Sequence, residues 1–201
     1  MHLKLFLGLT LAAIFLGAAY PASAQTVPAA TESTLPLAVG AGFSYFDPDW
    51  YTGQGQIYGG ALWIDYIPNR VPWILRGLGV EIEARDVSLG QSSSEPSNLR
   101  EDTAGGGLIY TWRHYPRFHP YVKGLGGYAS IDFHGGPGYN HDSRTIVITG
   151  AGAEYRVMKR VWVRGDYEYQ FWPNFLPHNQ AQPNGVTVGA SYHFNTPHFR
   201  Y

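Results

Sequence analysis

The chain contains no cysteine, which excludes disulfide staples, thiolate metal sites and a cysteine nucleophile, and leaves an oxidising compartment open to it. Charge is also scarce. Only 14% of the 201 residues are Asp, Glu, Lys or Arg and the formal net charge is −1, so nothing in the balance implies nucleic acid or another polyanion as a partner. Beyond the first two dozen residues no segment is continuously apolar over the ~20 residues that a membrane-crossing helix needs. Any crossing would therefore be made by strands. What the chain does have is aromatic residues, at 15%, and 25 glycines.

The opening apolar run reads as a removable signal peptide over 1–24, with Lys4 at its start, an almost unbroken apolar stretch over 5–19 and the small-residue cleavage site Ala22-Ser23-Ala24. A retained anchor helix is the alternative, but the run is short for a bilayer span. Cleavage before Gln25 removes Lys4 and no acid, which takes the formal charge to −2. Residues 25–36 are small, polar and without a period, and are expected to be a flexible lead-in.

From residue 37 the chain alternates. In the last such stretch Val186, Val188, Ala190, Tyr192 and Phe194 share one face, and Thr187, Gly189, Ser191 and His193 the other, the period of a strand. The same alternation predicts seven more strands, over 37–46, 56–66, 75–87, 104–114, 120–132, 145–157 and 161–171. Charged residues fall on their polar faces. Apolar outside with charge inside is the pattern of a barrel in lipid rather than of a soluble sandwich. Parity also supports a three-residue turn between strands 6 and 7, Met158 to Arg160, because pairing Val157 with Val161 places Glu154 beside Arg164 whereas a two-residue turn would mix the faces.

The connections alternate in length. Those after strands 1, 3, 5 and 7 are long, hydrophilic and glycine-bearing; those after strands 2, 4 and 6 are shorter. Long extracellular loops and short periplasmic turns are the rule in such barrels, so both termini are expected in the periplasm. The stretch 88–103 is the most hydrophilic and reads as a loop, as does 134–143. Aromatics gather at both ends: Tyr45, Trp50, Phe133, Phe171 and Trp172 at one, and Tyr66, Trp73, Trp112, Tyr115, Phe118, Tyr155, Tyr192 and Phe194 at the other.

Three motifs, Pro120-Tyr-Val-Lys-Gly-Leu-Gly-Gly-Tyr128, Gly150-Ala-Gly-Ala-Glu-Tyr155 and Arg164-Gly-Asp-Tyr-Glu-Tyr169, resemble the eight-stranded OmpA-like (porin-superfamily) outer-membrane β-barrel domain, over 37–194. The fold expected is thus all-β, an eight-stranded antiparallel up-and-down transmembrane barrel. Thr187, Gly189, Tyr192 and Phe194 are similar to the family's C-terminal assembly signal. That resemblance implies insertion into outer-membrane lipid by the barrel-assembly machinery. The chain continues through a short tail, 195–201, so either Phe194 or Tyr201 is read as the signal, and no peptidoglycan-binding domain is expected after it.

The inward charges are predicted to be Asp65, Glu81, Glu83, Glu154, Asp166 and Glu168 against Arg85, Arg113, Lys123, Arg156 and Arg164. An eight-stranded interior holds little more than side chains, so these should pair into a salt-bridged plug, with Glu154 and Arg164 as neighbours. A low-conductance pore is the alternative. Catalysis is not expected: His141-Asp-Ser143 offers the residue types of a triad, but only as neighbours in sequence. No cofactor or metal is expected either, although His134, His141 and His178 could meet above the barrel. Trp50, Tyr51, Tyr139, Trp172 and Phe175 suggest a rim for contact with an extracellular ligand or surface. Function is therefore read as a small outer-membrane barrel, structural or surface-interacting, with a lipid-modifying enzyme as the more remote reading.

Overall fold

Side chains of successive strand residues point to opposite faces, so an eight-stranded sheet with one apolar face can satisfy its edges in lipid only by closing on itself. The computed structural model shows this closure and describes residues 35–48, 56–68, 71–72, 75–89, 98–134, 139–173 and 181–194. The expected signal peptide, Trp50, Tyr51, Phe175, His178 and the tail 195–201 lie outside the described residues. The strands are β1 (Leu37–Asp47), β2 (Ile57–Tyr66), β3 (Leu78–Leu89), β4 (Asn98–Thr111), β5 (Phe118–His134), β6 (Tyr139–Arg156), β7 (Val161–Phe171) and β8 (Asn184–His193). Each pairs antiparallel with the next, and β8 returns to β1 through pairs such as Val39 with Tyr192 and Ala41 with Ala190.

The outer wall is apolar where sequence parity placed it. Ile82 is 62% exposed and Val188 59%, values that a water-soluble surface rarely repeats around a whole circumference but a lipid-facing one requires. Among the described residues no helix is long and apolar enough to cross a membrane.

The short connections are tightly made. Val161 O accepts from the amides of both Val157 and Met158, at 3.1 and 3.0 Å, which holds the turn over 158–160. Register follows: Glu154 is opposite Arg164 and Tyr155 opposite Val163. Before β3 the chain passes through Gly77 at φ 100°, a conformation that disfavours side chains, and a Cβ there would run into the Thr111 carbonyl. The close approach is used, since Thr111 N donates to Gly77 O at 2.8 Å.

Parts of two expected loops are strand. The stretch 98–103 belongs to β4, paired with β3 through Ser88 with Arg100, and 139–143 belongs to β6, paired with β5 through Asp132 with His141. The reason is a reversal of polarity along an unbroken parity. On β5, Val122 and Tyr128 face out and Lys123 faces in, but farther along Asp132 takes the outward parity while Ala129 and Ile131 are buried inside. On β3 the outward set runs Val80, Ile82, Ala84 and then Asp86, while Val87 is buried. Where the outward residues turn polar, β3–β6 have risen above the lipid band and adopt the polar-outside pattern of a soluble protein.

Candidate functional site

The lumen is filled in three tiers, each supplied by inward residues of several strands. At the hairpin end lies an apolar tier of Phe46, Ile57, Val87, Leu125, Ile131, Ile146, Ile148 and Trp172, all buried. Trp172, expected on the rim, is instead fully enclosed, because it continues the inward parity of Arg164, Asp166, Glu168 and Gln170; it bridges to Ala181, and its indole Nε1 donates to Gln170 Oε1 at 2.9 Å. Near the turn end the lumen is aromatic, with the Trp162 ring 4.4 Å from His119 and 5.0 Å from His193.

Between them is the ionic tier. Arg85 of β3 bonds Glu83 and, at 2.5 Å, Glu168 of β7, while its Nε donates to Ser44 at 3.1 Å. Lys123 of β5 reaches Glu81 at 2.9 Å, Glu83 at 2.5 Å, Asp166 at 3.5 Å and Glu168. Arg164 of β7 crosses to Asp65 of β2 at 3.2 Å and Glu81 of β3 at 2.8 Å, and also meets Asp166 at 3.2 Å. Its guanidinium lies over the rings of Trp63 and Tyr121, 4.8 and 4.5 Å from their centroids. The Tyr121 hydroxyl accepts from Arg164 Nε and donates to Asp166, both at 2.6 Å. These three cations thus brace β2, β3, β5 and β7 across the lumen.

Room for these long side chains comes from glycine. A Cβ on Gly40 would overlap the Trp63 indole, and one on Gly150 would crowd Lys123 and Glu168. Large inward residues on one strand are met by small ones on its neighbour, which is how a narrow barrel closes around a filled core.

Three sequence expectations need correction. Glu154 is opposite Arg164 in register yet makes no ion pair with it. Its carboxylate instead accepts from Ser191 at 3.1 Å and lies 3.4 Å from His193 Nε2, because Arg164 is long enough to reach the opposite wall. Arg113 is exposed beyond the end of β4, since the strand stops at Thr111, and Arg156 is half-buried at the turn end with its guanidinium 5.8 Å from Trp162. Glu101, read as part of a loop, is instead fully buried, and neither carboxylate oxygen has a hydrogen-bond partner.

Among the described residues, seven buried carboxylates, Asp65, Glu81, Glu83, Glu101, Glu154, Asp166 and Glu168, therefore face three buried cations, Arg85, Lys123 and Arg164. Glu101 and Tyr121 were both within reach of parity. Glu101 follows from stepping back by twos from Ile109 through Gly107, Gly105 and Thr103, and Tyr121 lies two residues before Lys123. The run of glycines hid the first, and a tyrosine beside a lipid face hid the second.

Of the residues resembling an assembly signal, Thr187 and Gly189 face the lumen, where Thr187 shares a 2.8 Å hydrogen bond with Ser44 and Gly189 packs on Trp63. Tyr192 points outward with its ring 5.1 Å from that of Phe194, and Phe194 N donates to Leu37 O at 2.9 Å, closing the last strand on the first. Among the described residues no group of three His, Asp or Glu is arranged to hold a metal ion.

Neisserial surface protein A has the same fold, with a TM-score of 0.62 at 12% identity over 79% of this chain and 97% of its own. Ail, the attachment invasion locus protein of Yersinia pestis, superposes with a TM-score of 0.55 at 17% identity, over 78% and 95% of the two chains. A major outer membrane protein of Thermus thermophilus gives 0.53 at 13%, over 78% and 97%. No curated protein sequence matches. The profile of the outer membrane protein beta-barrel domain matches residues 9–194, and with the eight-stranded closure this makes the chain a member of that outer-membrane family.

Proposed function

We propose that this barrel is sealed and acts by surface contact through the two hairpins β3–β4 and β5–β6, with both termini and the short turns in the periplasm. The observation that carries the reading is strand length. β5 and β6 have 17 and 18 residues against 10 or 11 for β1, β2, β7 and β8, and the excess stands above the lipid band as ordered, polar-surfaced sheet. That excess is held rigid by its own pairs: Arg100 with Asp86 at 2.7 Å and Asp102 at 3.1 Å, His141 with Asp132 at 2.7 Å, and Arg144 with Asp142 at 3.1 Å. Rigid presentation lowers the entropy cost of binding.

The fold shared with Ail supports an attachment role. Ail has also been seen in complex with a heparin analogue, sucrose octasulfate. Here the hairpins carry Asp86, Asp102, Asp132 and Asp142 against Arg100 and Arg144, so a neutral or basic surface is the better electrostatic match than a sulfated one. Export by the 1–24 signal peptide and insertion through the signal at Thr187, Gly189, Tyr192 and Phe194 belong to the same reading.

The test is surface display in a non-adherent bacterium of the wild type and of a form whose hairpin ends, 88–100 and 132–142, are replaced by tight Asn-Gly turns. Attachment to epithelial cells and to matrix proteins should rise with the wild type and vanish with the trimmed barrel while both insert equally. Equal attachment by both forms would overturn the proposal. A second reading, a narrow cation path, is favoured by the excess of carboxylates over cations in the lumen. A steady ohmic current through the wild type in planar bilayers would put it first.

A further inference from the structure

The three connections at the turn end are basic in sequence. These connections, 67–77, 112–117 and 157–160, hold Arg70, Arg76, Arg113, Arg117, Lys159 and Arg160 and not one Asp or Glu. Pairing of β5 with β6 brings two of these connections together: Phe118 is opposite Tyr155, and just below them Arg156 N donates to Arg117 O at 2.9 Å. Between the two turns opens a cleft of about 360 Å³ lined by Arg117, Arg156, Val157, Met158 and Lys159. Its volume is within the ordinary range of small-ligand clefts.

The lining is a specific mixture. Arg117 and Lys159 are exposed cations, whereas Val157 and Met158 are exposed apolar side chains, Met158 to 67%. Next to it in the chain, one residue farther along β5 and one back along β6, stand the paired outward aromatics Phe118 and Tyr155, the kind of rings that mark the lipid–water interface. Cations beside apolar surface at that level match a group that is anionic at one end and hydrocarbon at the other. We infer that this cleft binds the phosphate headgroup of an anionic phospholipid of the adjoining leaflet, with Arg117 and Lys159 on the phosphodiester and the acyl chains lying along Phe118 and Tyr155.

This inference rests on the assignment of the short turns to the periplasmic side, where the leaflet is phospholipid. The two fail separately. A wrong orientation would appear as protease cleavage of the short turns on intact cells, whereas the lipid site is read in nanodiscs, where both faces are open.

The mature barrel would be placed in phosphatidylcholine nanodiscs containing about a tenth of cardiolipin or phosphatidylglycerol, and the lipid retained on ejection from the disc counted by native mass spectrometry. The wild type should retain anionic lipid over phosphatidylcholine. The double change Arg117→Gln with Lys159→Gln should cut that retention by at least about tenfold, given roughly fivefold per cation near an anionic surface. Arg76→Gln, on the third turn, should leave it unchanged. Should the double variant fold poorly, as seen in heat-dependent gel mobility, the charge-preserving pair Arg117→Lys and Lys159→Arg should still retain the lipid. Equal retention by the wild type and the double glutamine variant overturns the site, as does an equal loss with Arg76→Gln. Complete displacement of the lipid by inorganic phosphate at millimolar concentration overturns the lipid assignment as well, because the acyl chains would then add nothing.

Discussion

Arg164 bridges to three carboxylates, and its removal would strand Asp65, Glu81 and Asp166 together. Breaking a buried ionic group by deleting one side leaves uncompensated charge, at a cost of about 3–5 kcal/mol. Arg164→Met, which keeps most of the volume, should therefore lower the urea stability of the lipid-reconstituted barrel by about that amount. Adding Glu81→Gln should restore part of it, because the two are in contact and couple. Adding Glu154→Gln should restore nothing, since that carboxylate is engaged with Ser191 and His193. Recovery by Glu154→Gln rather than Glu81→Gln would show that parity, not the cross-lumen geometry, describes the pairing. In contrast, Arg100 binds two aspartates with all three side chains about half exposed. Arg100→Ala should cost less than about 1 kcal/mol in the same assay.

Among the elements, β8 makes different contacts on its two faces, and the proposed assembly signal draws on both. Thr187, Gly189 and Ser191 build the lumen, through Ser44, Trp63 and Glu154. Tyr192 and Phe194 face away from it, packing on each other, and the Tyr192 hydroxyl accepts a hydrogen bond from Arg160 at 3.0 Å. Changing both aromatics to Ala should therefore leave the barrel refolded in vitro nearly as stable as the wild type, yet reduce the amount inserted in cells. Deleting 196–201 should reduce insertion less. The comparison is read by quantifying folded protein in outer-membrane fractions against the unfolding midpoint of purified material. Loss of insertion on deleting 196–201 alone would transfer the signal to Tyr201.

For the whole molecule, the proposed sealing of the lumen rests on the stacked tiers. The ionic tier joins opposite walls, and the apolar tier above it leaves hydrocarbon where an ion would need water. Wild-type conductance in planar bilayers should accordingly be near the background of the membrane. Opening the upper tier with Trp172→Ala and Phe46→Ala should create a leak, and the excess of seven buried carboxylates over three cations among the described residues should make it cation-selective. The reversal potential in a potassium chloride gradient reads the sign. An anion-selective leak would mean that the carboxylates are neutralised in the folded barrel.

The amino-acid sequence by itself determined the number of strands, their direction and which residues face lipid, because each of these follows from a period of two and the polarity of single positions. It also determined the parity of the β6–β7 register, since a two-residue turn would set Tyr155 opposite Arg164 and mix the faces. The length of β4 and β6 was not legible as strand: above the lipid band the solvent changes, so the same alternation appears with its polarity exchanged and reads as a hydrophilic loop. Nor could the sequence choose ionic partners. Facing a shared lumen is a property of one strand, but the pairing of Arg164 with Asp65 and Glu81 depends on the width of the closed barrel and on glycines such as Gly40 and Gly150, which leave space for the side chains around it. Closure placed residues far apart in the chain within hydrogen-bonding distance, and only the tertiary structure contains that distance.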